Sequence, residues 1–124
     1  MIRGLGCDVC AVPRMRKIIE DTRFLDRYFT AGERAYLAAR AKRDETAAGF
    51  FAAKEAFVKA LGTGFAGLAA GDVEISHDAG GAPHYLLNEK TRAALEKAGA
   101  QRVFLSISHD GVAAMAVAIL EGDA

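Results

Sequence analysis

Phe50-Phe51-Ala52-Ala53-Lys54-Glu55-Ala56-Phe57-Val58-Lys59-Ala60-Leu61-Gly62-Thr63-Gly64 reads as a helix with its stop signal attached. At about 100° per residue, Phe50, Phe51, Phe57, Val58 and Leu61 form one bulky stripe. Ala52, Ala53, Ala56 and Ala60 cover much of the opposite side, where small residues let another element approach closely. Gly62 stands where a helix takes a left-handed C-terminal residue, and Asp44 can cap the other end. A helix that is apolar nearly all round is a buried one. Its few charges, Lys54, Glu55 and Lys59, must be paired, bound to a ligand or set at a cleft. Two readings are open. In one, Glu55 and Lys59 form an ordinary pair four residues apart and Lys54 snorkels to the surface. In the other, a carboxylate and two ammonium groups line a pocket, the carboxylate suited to a hard cation such as magnesium and the lysines to phosphates. Gly62-Thr63-Gly64 adds a backbone that can come close to a ligand. It lacks the order of glycines and lysine of a Walker loop.

Outward from this helix, the two halves of the chain differ. Ile2–Val12 is apolar and bounded by Pro13, which predicts a strand. Pro13 suits a first helical turn, and Arg14–Asp21 follows as that helix. Thr30-Ala31-Gly32-Glu33 is a capping box that opens a helix to about residue 41. In the second half, Val73–His77 and Pro83–Leu87 read as strands around Ala79-Gly80-Gly81-Ala82. Asn88 caps a helix through Lys97, ended by Gly99. Val103–His109 and Val112–Leu120 form a hairpin around Asp110-Gly111, and the nearly all-apolar last strand should be central and buried. Helices mostly early and an antiparallel sheet mostly late make an α+β fold, an antiparallel sheet packed with helices.

With 124 residues, 52% hydrophobic and 26% charged, the chain has the size and composition of one globular domain, residues 1–124. Its net charge of zero excludes a strongly basic nucleic-acid binder. The zero conceals a division, because residues 1–43 carry ten Lys/Arg against five Asp/Glu and residues 44–124 carry six against eleven. No run reaches the roughly 18 apolar residues that span a bilayer, and Met1-Ile2-Arg3-Gly4 opens no signal-peptide pattern. Cys7 and Cys10 have CxxC spacing, but two ligands alone rarely hold zinc. They read as small strand residues, and nothing asks for an oxidising compartment, so a cytoplasmic location is expected.

Two further stretches bear on chemistry. Asp8 interrupts the apolar strand Leu5-Gly6-Cys7-Asp8-Val9-Cys10, where a carboxylate is costly without a partner. Ser106-Ile107-Ser108-His109-Asp110 ends a strand. Successive side chains of a strand point to opposite faces, which argues against a nucleophile triad there.

These three stretches together resemble the holo-acyl-carrier-protein synthases. Gly6-Cys7-Asp8-Val9 resembles their Gly-x-Asp-Ile opening. Phe51 to Gly64 resembles their main signature almost residue for residue. Leu105-Ser106-Ile107-Ser108-His109 with Ala113–Ile119 resembles their C-terminal hairpin. Order, spacing and length fit the short, single-repeat branch. The resemblance implies the phosphopantetheinyl transferase fold and transfer of phosphopantetheine from coenzyme A to a serine of an acyl carrier protein, with adenosine bisphosphate released. It implies Asp8 and Glu55 as magnesium ligands and catalytic residues, with Lys59 steadying or protonating the leaving phosphate. A water or a nearby carboxylate would take the serine proton. Lys54, Lys59, Gly62, Thr63 and His109 would line the coenzyme A site. It also implies a homotrimer with active sites between subunits, Asp8 and His109 from one chain and Glu55 and Lys59 from its neighbour being one division of the halves.

The basic first third gains a role from the same resemblance. Arg14, Ile18, Arg23, Phe24 and Arg27 fall where the family presents its docking surface for the acidic carrier. Two departures stand out: the family usually has Glu where this chain has Ala11, and Arg where it has Phe50. Both give weight to an alternative, a non-catalytic binder of coenzyme A or of a carrier protein on the same fold.

Overall fold

The computed structural model describes residues 1–64 and 67–123. Three strands, β1 (Ile2–Ala11), β4 (Arg102–His109) and β5 (Ala113–Glu121), form an antiparallel sheet in the order β1-β5-β4. A separate antiparallel ribbon pairs β2 (Glu74–His77) with β3 (Pro83–Leu86). The helices are α1 (Val12–Ile18), α2 (Thr22–Tyr28), α3 (Ala31–Ala38), α4 (Arg43–Leu61) and α5 (Glu89–Lys97), and a 3₁₀ turn spans Ala70–Asp72. The fold is α+β, as the two halves of the sequence predict.

The quoted helix is the backbone of the molecule. α4 lies across one face of the three-stranded sheet, and small residues on both sides bring the two together. Ala114, Ala116 and Ala118 of β5 and Ala52, Ala53 and Ala56 of α4 are fully buried. In β1, Gly4 and Gly6 face the helix so closely that a Cβ on Gly6 would stand 2.1 Å from the Ala56 carbonyl oxygen. The bulky stripe packs the other way. Phe57 meets Tyr85 at 5.0 Å between ring centroids, and the Tyr85 hydroxyl donates to the Ala53 carbonyl at 2.6 Å. Burial pushes that phenol's pKa upward. Gly62 ends α4 at φ 77°, the left-handed conformation its position called for.

Four local expectations need correction. α1 starts at Val12 and stops at Ile18, and Asp21 opens α2 by accepting from the Arg23 amide at 2.9 Å. A short polar side chain that looked like a helix end is a cap for the next helix. α3 ends at Ala38, short of the expected residue 41, although both bonds of its capping box form. Asp44 does not cap α4; it sits in the first turn and pairs with Arg16 at 2.8 Å. Val112 is outside β5, because Asp110 Oδ1 accepts from the amides of Val112 and Ala113 and holds the turn.

β5 is central, but only one of its faces is covered. On the far side the sheet leaves Leu5 and Val9 66% exposed, Phe104 52% and Met115 44%. A continuous run of apolar residues therefore signalled a strand with two apolar faces, not one buried on both sides.

Candidate active site

Asp8 shares the α4-facing side of β1 with Gly6 and Cys10, since alternate residues point the same way. Where the glycines admit the helix, Asp8 meets it. Lys59 Nζ donates to Asp8 Oδ1 at 2.9 Å and to the Cys7 carbonyl at 3.2 Å. This bond holds the Lys59 pKa above its ordinary value. The expected Glu55–Lys59 pair does not form; among the described residues, no ion pair involves Glu55. Partial burial raises the Glu55 pKa, and the neighbouring Asp8 charge raises it further. Two carboxylates close enough to repel one another, one of them desolvated, make a site that favours a cation. Their oxygen donors suit a hard octahedral ion that keeps waters and phosphate oxygens in its remaining positions, so the residues present fit magnesium.

The site opens outward. A cleft of about 400 Å³ is lined by Glu55, Arg27, Tyr28, Leu68, Ala69 and Ala70. Leu68 also walls a neighbouring cleft of about 420 Å³ with Leu61, Thr63, Lys90 and Lys97. Gly62 and Thr63 thus lie one turn beyond Lys59, exposed and beside open space.

Lys54 departs from expectation in both of its readings. It neither snorkels nor faces a phosphate. Its side chain is 1% exposed, and its ammonium donates to Glu33 Oε1 at 2.9 Å, the Ala70 carbonyl at 2.8 Å and the Val73 carbonyl at 2.6 Å. With its three protons committed, it has none for a ligand. Its place on a helix that is apolar nearly all round was the signal for burial; the partner, Glu33, was legible only as a capping residue.

His109 also stands apart. It ends β4, with Nδ1 3.7 Å from Glu45 Oε1. It lines a cleft of about 190 Å³ with Tyr36, Arg40, Thr46, Phe50 and His77. Glu45 precedes Glu55 by ten residues of α4, about 15 Å at 1.5 Å per residue. Within one chain, then, Asp8 joins Glu55 and Lys59, and His109 does not join Asp8. The division that paired Asp8 with His109 against the two helix residues is not the one the fold makes. Phe50, where the family usually has Arg, is buried between Phe29, Tyr36 and His77. The His77 ring stacks on Tyr36 at 4.1 Å, and the Arg40 guanidinium lies over the Tyr36 ring, 4.5 Å from its centroid. Sequence reasoning missed this cluster because its members come from three separate elements with no common motif. Ala11 is exposed at the end of β1.

Of the proposed docking residues, Arg14, Arg23 and Arg27 are exposed, whereas Ile18 and Phe24 are half-buried against the core. Phe24 stacks on Tyr28 at 4.3 Å, and Tyr28 lines the Glu55 cleft. The basic segment therefore runs into the mouth of the site. Cys7 and Cys10 lie on opposite faces of β1, one exposed and one buried, so they cannot share a metal.

Known proteins share this fold and much of this sequence. The profile of the 4′-phosphopantetheinyl transferase superfamily matches residues 4–117. A holo-acyl-carrier-protein synthase of Clostridium kluyveri is 44% identical over 124 residues, covering 99% of this chain and 92% of its own. The crystal structure of the holo-acyl-carrier-protein synthase of Neisseria meningitidis superposes with a TM-score of 0.89 at 32% identity, over 98% of this chain and 99% of that one. That of Bacillus anthracis, in complex with coenzyme A (3′,5′-ADP), superposes with a TM-score of 0.83 at 32% identity, covering 99% of each. Asp8, Glu55 and Lys59 meet on a frame shared from end to end with these proteins, and the chain belongs to the 4′-phosphopantetheinyl transferase superfamily.

Proposed function

We propose that the chain, as one domain over residues 1–124, is a holo-acyl-carrier-protein synthase. It moves phosphopantetheine from coenzyme A to a serine of an acyl carrier protein. The serine oxygen attacks the β-phosphorus of the coenzyme A pyrophosphate, its proton passes to a water or carboxylate, and adenosine 3′,5′-bisphosphate leaves. The observation that carries this reading is the meeting of Asp8, Glu55 and Lys59 at the crossing of β1 and α4. Asp8 and Glu55 would hold magnesium, which would neutralise pyrophosphate charge in a reaction governed by positioning and electrostatics. Lys59, half exposed, is placed to turn from Asp8 toward a leaving phosphate. Gly62 and Thr63 extend the same rim. Mass spectrometry of an apo carrier after incubation with enzyme, magnesium and coenzyme A should show one added phosphopantetheine. Folded enzyme that binds coenzyme A yet modifies no native carrier would move the chain to the non-catalytic reading.

The exposed face of the sheet supports the homotrimer. Leu5, Val9, Phe104 and Met115 form an apolar surface of the kind that marks a protein interface. In a trimer, the His109 cleft of one subunit would complete the Glu55 site of the next, since the two lie apart in one chain. Val9→Lys should lower the mass measured by light scattering from trimer toward monomer and reduce transfer at the same time. A trimer that survives Val9→Lys with Met115→Lys would exclude this face.

For the carrier, Arg14, Arg23 and Arg27 offer an exposed basic edge beside Ile18 and Phe24. Arg14→Ala with Arg23→Ala should raise KM for the carrier on the order of tenfold, less so at high salt, and leave KM for coenzyme A unchanged. Steady-state kinetics at two ionic strengths tests this. No described helix is long and apolar enough to cross a membrane.

A further inference from the structure

We propose that the buried Lys54–Glu33 pair is a positioning device for the reaction, holding the Ala69–Ala70 wall of the Glu55 cleft in place against α4. The inference rests on the transferase reading above. Burying two charges is costly, and apolar residues of similar volume often serve stability as well or better. Yet both side chains are essentially without solvent contact, at 1% and 0%. The pair ties four segments together. Glu33 Oε1 also accepts from the Thr30 amide at 2.9 Å, and Glu33 Oε2 accepts from the Ile75 amide at 2.9 Å. Lys54 adds the carbonyls of Ala70, the first residue of the 3₁₀ turn, and of Val73, the residue after it.

What this network holds is the cleft. Lys54 and Glu55 are consecutive on α4, about 100° apart around the axis, so one points inward and the other into the cleft. A bond from Lys54 to Ala70 therefore fixes the wall relative to Glu55 through a single rigid helix. Leu68 and Val73 anchor the ends of that stretch in the core, and Asn88 Nδ2 donates to the Asp72 carbonyl at 2.8 Å, but among the described residues Lys54 alone joins it to α4 by hydrogen bonds. The turn's own bond, from the Ala69 amide to Asp72 Oδ2 at 2.8 Å, shapes it but does not join it to α4. Lys54 thus acts through the wall, and coenzyme A held at Glu55 is what the wall meets.

Lys54→Met alone leaves the Glu33 charge buried without its cation, a strongly destabilising change that would obscure any effect on the cleft. The informative variant is therefore Lys54→Met with Glu33→Gln, which removes both charges. Calorimetric Kd for coenzyme A with magnesium and steady-state transfer to an apo carrier are measured on the full chain. Kd and KM for coenzyme A should rise on the order of tenfold while kcat stays within about twofold. Leu95→Ala, a core truncation in α5 that lowers the melting temperature without touching this network, should leave both constants unchanged. A charge-free pair with wild-type Kd and KM overturns the proposal, as does Leu95→Ala moving them equally. If the double variant does not fold, Glu33→Gln alone decides: a rise in Kd of about threefold supports the clamp and an unchanged Kd overturns it. Wild-type enzyme that binds coenzyme A without transferring from it refutes the transferase reading and leaves the Kd comparison to judge the clamp. Wild-type enzyme that binds none refutes both.

Discussion

Glu55→Ala should abolish phosphopantetheine transfer while the protein stays folded. Asp8 keeps its lysine, but a single carboxylate with an ammonium already on it is a poor home for a divalent ion. The metal's share in neutralising the pyrophosphate would go with Glu55, a loss of ~10³-fold or more in kcat/KM. Stability should move little, and in the favourable direction at neutral pH. Glu55 is half-buried, has no ion pair among the described residues, and carries a pKa raised first by burial and then by Asp8. A carboxyl whose folded pKa is raised contributes stability that is present below its unfolded value and is lost as pH rises through the folded one. At pH 7 the charged form is a burden, and alanine removes it. The measurements are initial rates, melting temperature, and magnesium-dependent binding of coenzyme A. Transfer within tenfold of wild type would take Glu55 out of the metal site.

Gly6→Ala should cost the fold itself. The added Cβ would lie 2.1 Å from the Ala56 carbonyl oxygen and 2.6 Å from the Ala60 amide nitrogen, both backbone atoms of α4. No rotamer change relieves a clash with backbone, so β1 or α4 must shift as a unit. Overpacking of this kind is worth about 3 kcal/mol, or a fall of roughly 10 °C in melting temperature for a domain of this size. The shift would also separate Asp8, two residues along β1, from Lys59. Urea unfolding followed by circular dichroism gives the stability; a midpoint equal to wild type would mean that β1 and α4 are not packed as described. Transfer activity in whatever remains folded should fall too, because the same crossing builds the site.

The sequence made the site legible through a conflict: charges on a helix that had every reason to be apolar, and a carboxylate in a strand that had none to carry one. Those conflicts found Asp8, Glu55 and Lys59. They did not distinguish among the charges. Lys54 and Lys59 look alike in one dimension, yet one is sealed against Glu33 and the other sits at the rim. Deciding between them required knowing that α3 and the 3₁₀ turn close over one side of α4, a long-range fact no local pattern carries. The elements with local signals came out well: the capping box at Thr30, the Asn88 cap, the left-handed Gly62, and the Asp110 turn all form. The failures lie where one short polar residue has two uses. Asp21 begins a helix instead of ending one, and Asp44 serves Arg16 instead of the helix terminus. His109 was grouped with Asp8 only through the family resemblance; its register partner Ala114 lies two residues from that of Asp8, Ala116, yet its side chain turns to Glu45 near the start of α4 and that of Asp8 to Lys59 near its end.

The contact between Lys59 and Asp8 has a consequence for how the enzyme is made. Many small metal-binding domains cannot fold until the ion arrives, because their ligands repel one another without it. Here the chain carries its own stand-in cation, 2.9 Å from the carboxylate that a metal would claim. The Asp8 charge is thus met by a cation of the chain itself in the folded state, so folding would not have to wait for magnesium. An ion held by Asp8 and Glu55 would displace this side chain and leave it free to meet a phosphate, so assembly of the protein and arming of the site would be separate events.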